Sequence, residues 1–183
     1  MTYLLDTDHI TLLQRATGRE YARLQARIAQ HPLAELAFAI ISLHEQVVGC
    51  HAYINQARTA DDLVRGYAML TTVLRTFTRA TVLPFDAAAA AVYDALVAQR
   101  MRLRRMDLRI AAIALVHGLV VVTRNTRDFG RVSGLEMEDW TVSTYDLDAV
   151  PLANNFFCLC SQRHTVVLPL QFAEILKNDT SAV

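Results

Sequence analysis

The sequence predicts a three-layer α/β sandwich, with a mainly parallel central sheet flanked by helices. Three observations lead there. Short apolar runs alternate with amphipathic stretches over residues 1–144. The runs Tyr3-Leu4-Leu5 and Phe38-Ala39-Ile40-Ile41 each give way at once to a helix start. The clearest buried strand, Leu119-Val120-Val121-Val122-Thr123, follows directly on a helical stretch that Gly118 can close. Strands separated by helices are joined by right-handed crossovers and therefore run parallel.

Each element has its own signal. After Tyr3-Leu4-Leu5 the chain meets Asp6, and Ile10, Leu12 and Leu13 then recur at helical spacing. Arg19 to His31 places Tyr21, Leu24 and Ile28 at intervals of three and four between Gly18 and Pro32, which predicts a second amphipathic helix. Phe38 to Ile41 reads as a buried strand. Ser42-Leu43-His44-Glu45 then opens a long helix through roughly Ala57, and another is expected from Asp61 to Thr78. Val82-Leu83-Pro84-Phe85 is extended, because a residue before proline is pushed out of the helical region, and Asp86 caps an alanine-rich helix to about Met101. Asp107 opens a helix over Leu108 to His117, and Trp140-Thr141-Val142 is one further strand.

A chain of 183 residues with 53% hydrophobic content has material for one well-filled core. No apolar run reaches the roughly 18 residues needed to span a bilayer, and Asp6 interrupts the N-terminus before any signal-type stretch, so a cytoplasmic, membrane-free protein is expected. Cys50 stands alone and Cys158 and Cys160 are too close to staple distant elements, which fits a reducing compartment. Cys158, Cys160 and His164 lack a fourth zinc ligand, and their apolar neighbours suit buried thiols. Residues 145–183 break the strand–helix rhythm and are read as a C-terminal extension of unknown packing.

Net charge is zero, so no basic footprint covers the whole chain. Lys177 is the only lysine, and Arg100, Arg102, Arg104, Arg105 and Arg109 lie within ten positions. Arginine forks suit phosphate, although a solvated helix face accounts equally for such a run.

Taken singly, each conspicuous acid is a helix-start residue. Asp6 has the position of an N-cap, Ser42 with Glu45 has the spacing of a capping box, and Asp107 meets the positive end of a helix dipole. Taken together they acquire another meaning. In a parallel sheet the segments that follow the strands converge at the carboxyl edge, where such folds place ligands. Three carboxylates gathered there oppose one another unless a cation neutralises them, and oxygen donors select Mg²⁺ or Mn²⁺ over Zn²⁺. Thr123 and Asn125 follow the valine strand and are placed to orient water or substrate. Asp128 offers a fourth carboxylate or serves a surface turn, and Arg124 and Arg127 contact phosphate or solvent.

Four stretches now stand in order: Tyr3-Leu4-Leu5-Asp6-Thr7-Asp8-His9-Ile10, Ile41-Ser42-Leu43-His44-Glu45, Met106-Asp107-Leu108-Arg109-Ile110-Ala111-Ala112 and Val122-Thr123-Arg124-Asn125-Thr126-Arg127-Asp128-Phe129. In order and spacing they resemble the PIN-domain ribonucleases, particularly the VapC-like toxins of bacterial toxin–antitoxin pairs, over about residues 2–144. The resemblance implies a PIN-like nuclease domain over residues 1–144 and a Mg²⁺- or Mn²⁺-dependent endoribonuclease. It further implies that Asp6, Glu45 and Asp107 bind or position the metal and that an antitoxin protein blocks the groove. The family's fourth acidic position falls on Asn125, with Asp128 three residues on as a substitute; a neutral amide there favours one metal over two. Asp8 stands where many relatives have asparagine. Glu45 is the residue expected to orient the attacking water or act as its base, and Arg102, Arg105, Arg109 and Arg124 are candidate backbone-phosphate contacts.

Two other readings compete. Asp6-Thr7-Asp8 is also the D-x-D pair of haloacid-dehalogenase-like phosphatases, but that chemistry needs a lysine and leaves Glu45 and Asp107 without roles. Alternatively, Asn125 marks a catalytically weak module that acts by pairing with a partner. The apolar faces of Arg19 to His31 and Asp61 to Thr78 suit a homodimer or an antitoxin helix.

Overall fold

The computed structural model describes residues 2–142. Five parallel strands, β1 (Tyr3–Leu5), β2 (Leu36–Ala39), β3 (Val82–Leu83), β4 (Val120–Val122) and β5 (Met137–Glu138), form one sheet in the order β3-β2-β1-β4-β5. Central β1 pairs Leu5 with Phe38 on one side and with Val122 on the other, so β1 and β4 end level and β2 runs one residue further, to Ala39. The connections carry helices α1 (Thr7–Arg15), α2 (Arg19–Ile28), α3 (Ile40–Gln56), α4 (Ala60–Phe77), α5 (Ala87–Ala98), α6 (Arg105–His117) and α7 (Thr126–Phe129).

Strand alternation divides the core into two layers, as the period of two requires. Leu4, Ala37, Ala39 and Val121 face Leu96 of α5 and Ile110 to Ala114 of α6. Leu5, Leu36, Phe38 and Val122 face Ile10 and Leu13 of α1, Leu24 and Ile28 of α2, and Val73 and Phe77 of α4. The three-layer sandwich with a parallel sheet is therefore what the chain forms. Gly118 ends α6 in the left-handed region at φ 60°, which turns the chain directly into β4. No helix among the described residues is long and apolar enough to cross a membrane.

Several boundaries differ from expectation. β2 stops at Ala39, whose partner Leu83 is the last residue of β3, and Ile40 and Ile41 enter α3. Ser42 consequently lies inside the first turn. The expected capping box does not form: Ala39 occupies the cap without a side-chain bond, and the buried Ser42 hydroxyl has no hydrogen-bond partner among the described residues. A real box starts α4, where Thr59 and Asp62 bond reciprocally. α6 begins at Arg105, two residues before Asp107, and α5 ends at Ala98 short of Met101. The last strand among the described residues is Met137–Glu138 and not Trp140 to Val142. Asp139 accepts from the Thr141 amide and hydroxyl at 2.8 and 2.6 Å, a turn that ends the strand and lets Trp140 stack on His31 against Tyr3. The proposed extension and its Cys158, Cys160 and His164 lie outside the described residues.

Candidate active site

The level ends of β1 and β4 bring their following residues side by side. The Asp6 amide continues the ladder by donating to the Val122 carbonyl at 3.0 Å. The Asp6 carboxylate then caps α1 through the Thr7 amide at 2.7 Å and accepts the Thr123 hydroxyl at 2.8 Å. Thr7 turns its own hydroxyl to Glu45 on α3, 2.5 Å away. Thr123 accepts the Asn125 amide at 3.0 Å, and the Asn125 side-chain amide donates to Asp107 on α6 at 3.4 Å. Arg104, just before α6, donates to the same Asp107 oxygen at 3.1 Å. A continuous chain of hydrogen bonds thus runs from Glu45 through Thr7, Asp6, Thr123 and Asn125 to Asp107.

Electrostatics follows from burial. Asp6 is 6% exposed, and its pKa rises from 3.8 to about 6. Burial is the largest cause; repulsion from Asp8 and Asp107 adds to it, and the Thr123 and Thr7 hydrogen bonds oppose it. Asp107 is also pushed up, by burial first, against the Arg104 guanidinium and with help from Asp128 and Asp8. Asp8 goes the other way: burial would raise it, but His9 and Arg124 more than offset that and hold it low.

The sequence-predicted residues therefore divide. Asp6, Glu45, Asp107, Thr123 and Asn125 share the hydrogen-bonded chain. Asp128 lies near enough to raise Asp107 while pairing with Arg131 at 3.9 Å. Arg109 faces elsewhere, donating to the Met106 sulfur at 3.2 Å with its guanidinium 5.7 Å from the Tyr93 ring. Arg124 is held by Asp8 and Glu20. Arg102 and Arg105 are exposed. Reading the residues in sequence missed Thr7 and Arg104. Thr7 is the middle residue of Asp6-Thr7-Asp8, and Arg104 precedes Asp107 by the three positions that favour a helix-start ion pair.

The donors suit a hard divalent cation, being carboxylate, hydroxyl and amide oxygens with no sulfur among them. A cation would also relieve the repulsion that raises Asp6. Among the described residues, however, no three acids, histidines or cysteines are grouped to hold one ion. The expected triad is drawn apart, since Glu45 leans to Thr7 and Asp107 to Arg104. Asp6 and Asp107 remain, and Mg²⁺ commonly takes only one or two carboxylates and completes its shell with water. The D-x-D phosphatase arrangement is not met: Asp8 is bound by His9 and Arg124, and no lysine occurs among the described residues.

Comparison with known proteins bears on the family and the fold. The tRNA(fMet)-specific endonuclease VapC of Shigella flexneri is 45% identical over 67 residues, 34% of this chain and 51% of that protein, so the aligned stretch spans about half its length. Ribonuclease VapC1 of Rickettsia felis is 27% identical over 155 residues, covering 80% of this chain and all of the relative. Among solved structures, the DNA-bound VapBC of Salmonella typhimurium superposes with a TM-score of 0.60 at 25% identity, over 76% of this chain and 98% of that one. The PIN domain family model matches residues 3–135, which include every member of the hydrogen-bonded chain from Asp6 to Asn125, and this protein belongs to that family.

Proposed function

We propose that this chain is a metal-dependent endoribonuclease that hydrolyses RNA phosphodiester bonds, and that it acts as the toxin of a toxin–antitoxin pair in the cytoplasm, restrained by a cognate antitoxin protein. The observation that carries the reading is the hydrogen-bonded chain joining Glu45, Asp6 and Asp107 at one edge of the sheet. The names of the Shigella and Rickettsia relatives and the VapBC complex support the same activity and partner. Residues 1–144 form the nuclease domain in this reading, and 145–183 are an extension.

Asp6 and Asp107 are the residues that would hold Mg²⁺ or Mn²⁺, and Glu45, joined to Asp6 through Thr7, would complete the acidic set. When bound, the ion supplies a lowered water pKa and a counter-charge for the scissile phosphate. The chain's own residues do the rest. Thr7 fixes the Glu45 carboxylate, which orients the attacking water and takes its proton. Thr123 fixes Asp6, and Asn125 fixes Asp107, so both carboxylates meet the substrate in set orientations. Arg104 places a cation beside Asp107, within reach of a phosphate oxygen.

The test is cleavage of structured RNA by purified protein with Mn²⁺, compared with Asp6→Asn and Asp107→Asn. Both variants should lose cleavage. Cutting by either at the wild-type rate would overturn the assignment.

A further inference from the structure

Beside Glu45 a cavity of about 260 Å³ opens between α1, α3 and α4. Its walls are of two kinds. Cys50, Met69 and Val73 form an apolar floor, and Tyr53 stands at 36% exposure along it. A polar edge adjoins them, where Gln14 donates to Gln46 at 2.9 Å and Gln46 donates to Thr11 at 3.3 Å. Among the described residues no arginine, lysine or histidine lines the cavity, and Glu45 supplies the only charge there.

We infer that this cavity is a subsite for one nucleobase of the RNA, next to the phosphate that is cut. The inference rests on the nuclease reading and deepens it. Contiguity fixes the distance along the substrate: Glu45 belongs both to the hydrogen-bonded chain with Asp6 and to the cavity wall, so an occupant is a near neighbour of the reacting phosphate. The wall chemistry fixes the class. A base is flat, with an apolar face to lie against the Met69, Val73 and Tyr53 side and an edge that carries donors and acceptors together. Carboxamides match such an edge because each presents N–H and C=O in one plane. The ladder from Gln14 to Thr11 holds two of them in register while leaving each a further N–H.

Other occupants fit less well. A phosphate or carboxylate would meet Glu45 with no basic side chain among the described lining residues to offset it. An aliphatic side chain would fill the floor and leave the amide edge unmatched, at the cost of stranded polar groups. Cys50 is 3% exposed and burial raises its thiol pKa, so it packs against the occupant as a neutral group. The mouth is open at Gly49, where a Cβ would meet nothing within 4 Å. A larger side chain at that position would therefore obstruct the cavity without crowding the helix.

The experiment uses the full chain in EDTA with short oligoribonucleotides carrying 2-aminopurine at successive positions, read by fluorescence quenching. RNA cleavage with Mn²⁺ is scored in parallel on substrates that vary each base flanking the cut. Wild type should quench one position strongly, and Gln46→Ala and Gly49→Leu should each weaken that binding by about 10-fold. The same two variants should flatten base preference at one flanking position while melting as wild type does. Absence of position-dependent quenching in wild type overturns the subsite. So does unaltered base preference in both variants while RNA is still cut, whereas failure of wild type to cut any RNA counts against the nuclease reading itself. Variants that keep quenching and preference but lose capture of a co-expressed antitoxin would also overturn it and give the cavity to that protein.

Discussion

Arg124 donates both its backbone N–H and its side-chain Nε to one oxygen of Asp8, at 3.1 and 3.3 Å, while its Nη1 reaches Glu20 at 3.0 Å. These bonds tie the segment after β4 to the first turns of α1 and α2. Thr123 and Asn125 flank Arg124, so the tie sets the approach of both to Asp6 and Asp107. Asp8 keeps its charge to low pH because His9 and Arg124 outweigh the burial that would raise it. The stabilisation is thus present at neutral pH and lost only as pH falls through its lowered pKa.

Arg124→Ala should cut RNA about 10-fold more slowly, as loss of an outer supporting partner does. Hydrogen exchange at the amides of residues 124 and 125 should quicken. The salt dependence of RNA binding should stay at the wild-type slope, because the guanidinium is occupied by carboxylates. A slope lowered by about one unit would mean that Arg124 contacts phosphate after all.

Asp6→Asn should separate stability from activity. The folded state binds the Asp6 proton more tightly than the unfolded chain does, so the stabilisation is complete below 3.8 and is lost as pH rises through about 6. Above that range the buried charge costs on the order of 3 kcal/mol when no cation is bound. In EDTA near pH 7.5 the variant should therefore melt at least a few degrees higher than wild type, and the gap should close towards pH 4. Cleavage should fall by about 100-fold or more. An equal melting temperature at neutral pH would show that the carboxylate carries no such burden.

Thr7→Val removes the hydroxyl that holds Glu45 while keeping the amide that Asp6 caps. A hydrogen bond to a charged group contributes about 1.5–3 kcal/mol, so kcat should drop on the order of 10- to 100-fold with KM little changed. Thr7→Ser should recover most of the rate. A variant that alters only KM would place Glu45 in substrate binding instead.

Arg104 competes with a bound cation for Asp107, through a side chain that is 76% exposed. Such a pair is worth about 1 kcal/mol at most, so Arg104→Gln should tighten Mn²⁺ binding up to about 5-fold by calorimetry. Weaker binding would show that the guanidinium organises the site for metal.

The layers and three of the acids were readable from pattern alone, because apolar runs, helical spacing and residues just past strand ends carry that information. The limits of β2 were not. Phe38 to Ile41 is apolar throughout, and the strand ends where its ladder to Leu83 of β3 ends, a pairing across 44 positions that local pattern does not reveal. Ser42 and Glu45 have the spacing of a capping box, but α3 already begins at Ile40 and puts Ser42 inside the helix, while the box that forms is at Thr59 and Asp62. The fates of Arg109 and Arg124 were equally hidden, since Tyr93, Asp8 and Glu20 reach them only through the fold. Thr7 is adjacent to Asp6 in sequence, yet its tie to Glu45 spans 38 positions.

The central place of β1 has a consequence for synthesis. Its partner β4 and the Thr123 hydroxyl that locks Asp6 come from 117 positions downstream. A ribosome adds about 5–20 residues per second, so Asp6 and Glu45 wait on the order of ten seconds for their counterparts. Parallel strands so far apart in the chain also pair slowly once both exist. A nascent chain therefore carries the first acids without the constellation that gives them meaning, and translation itself delays the moment at which the finished edge can cut anything in the cell that makes it.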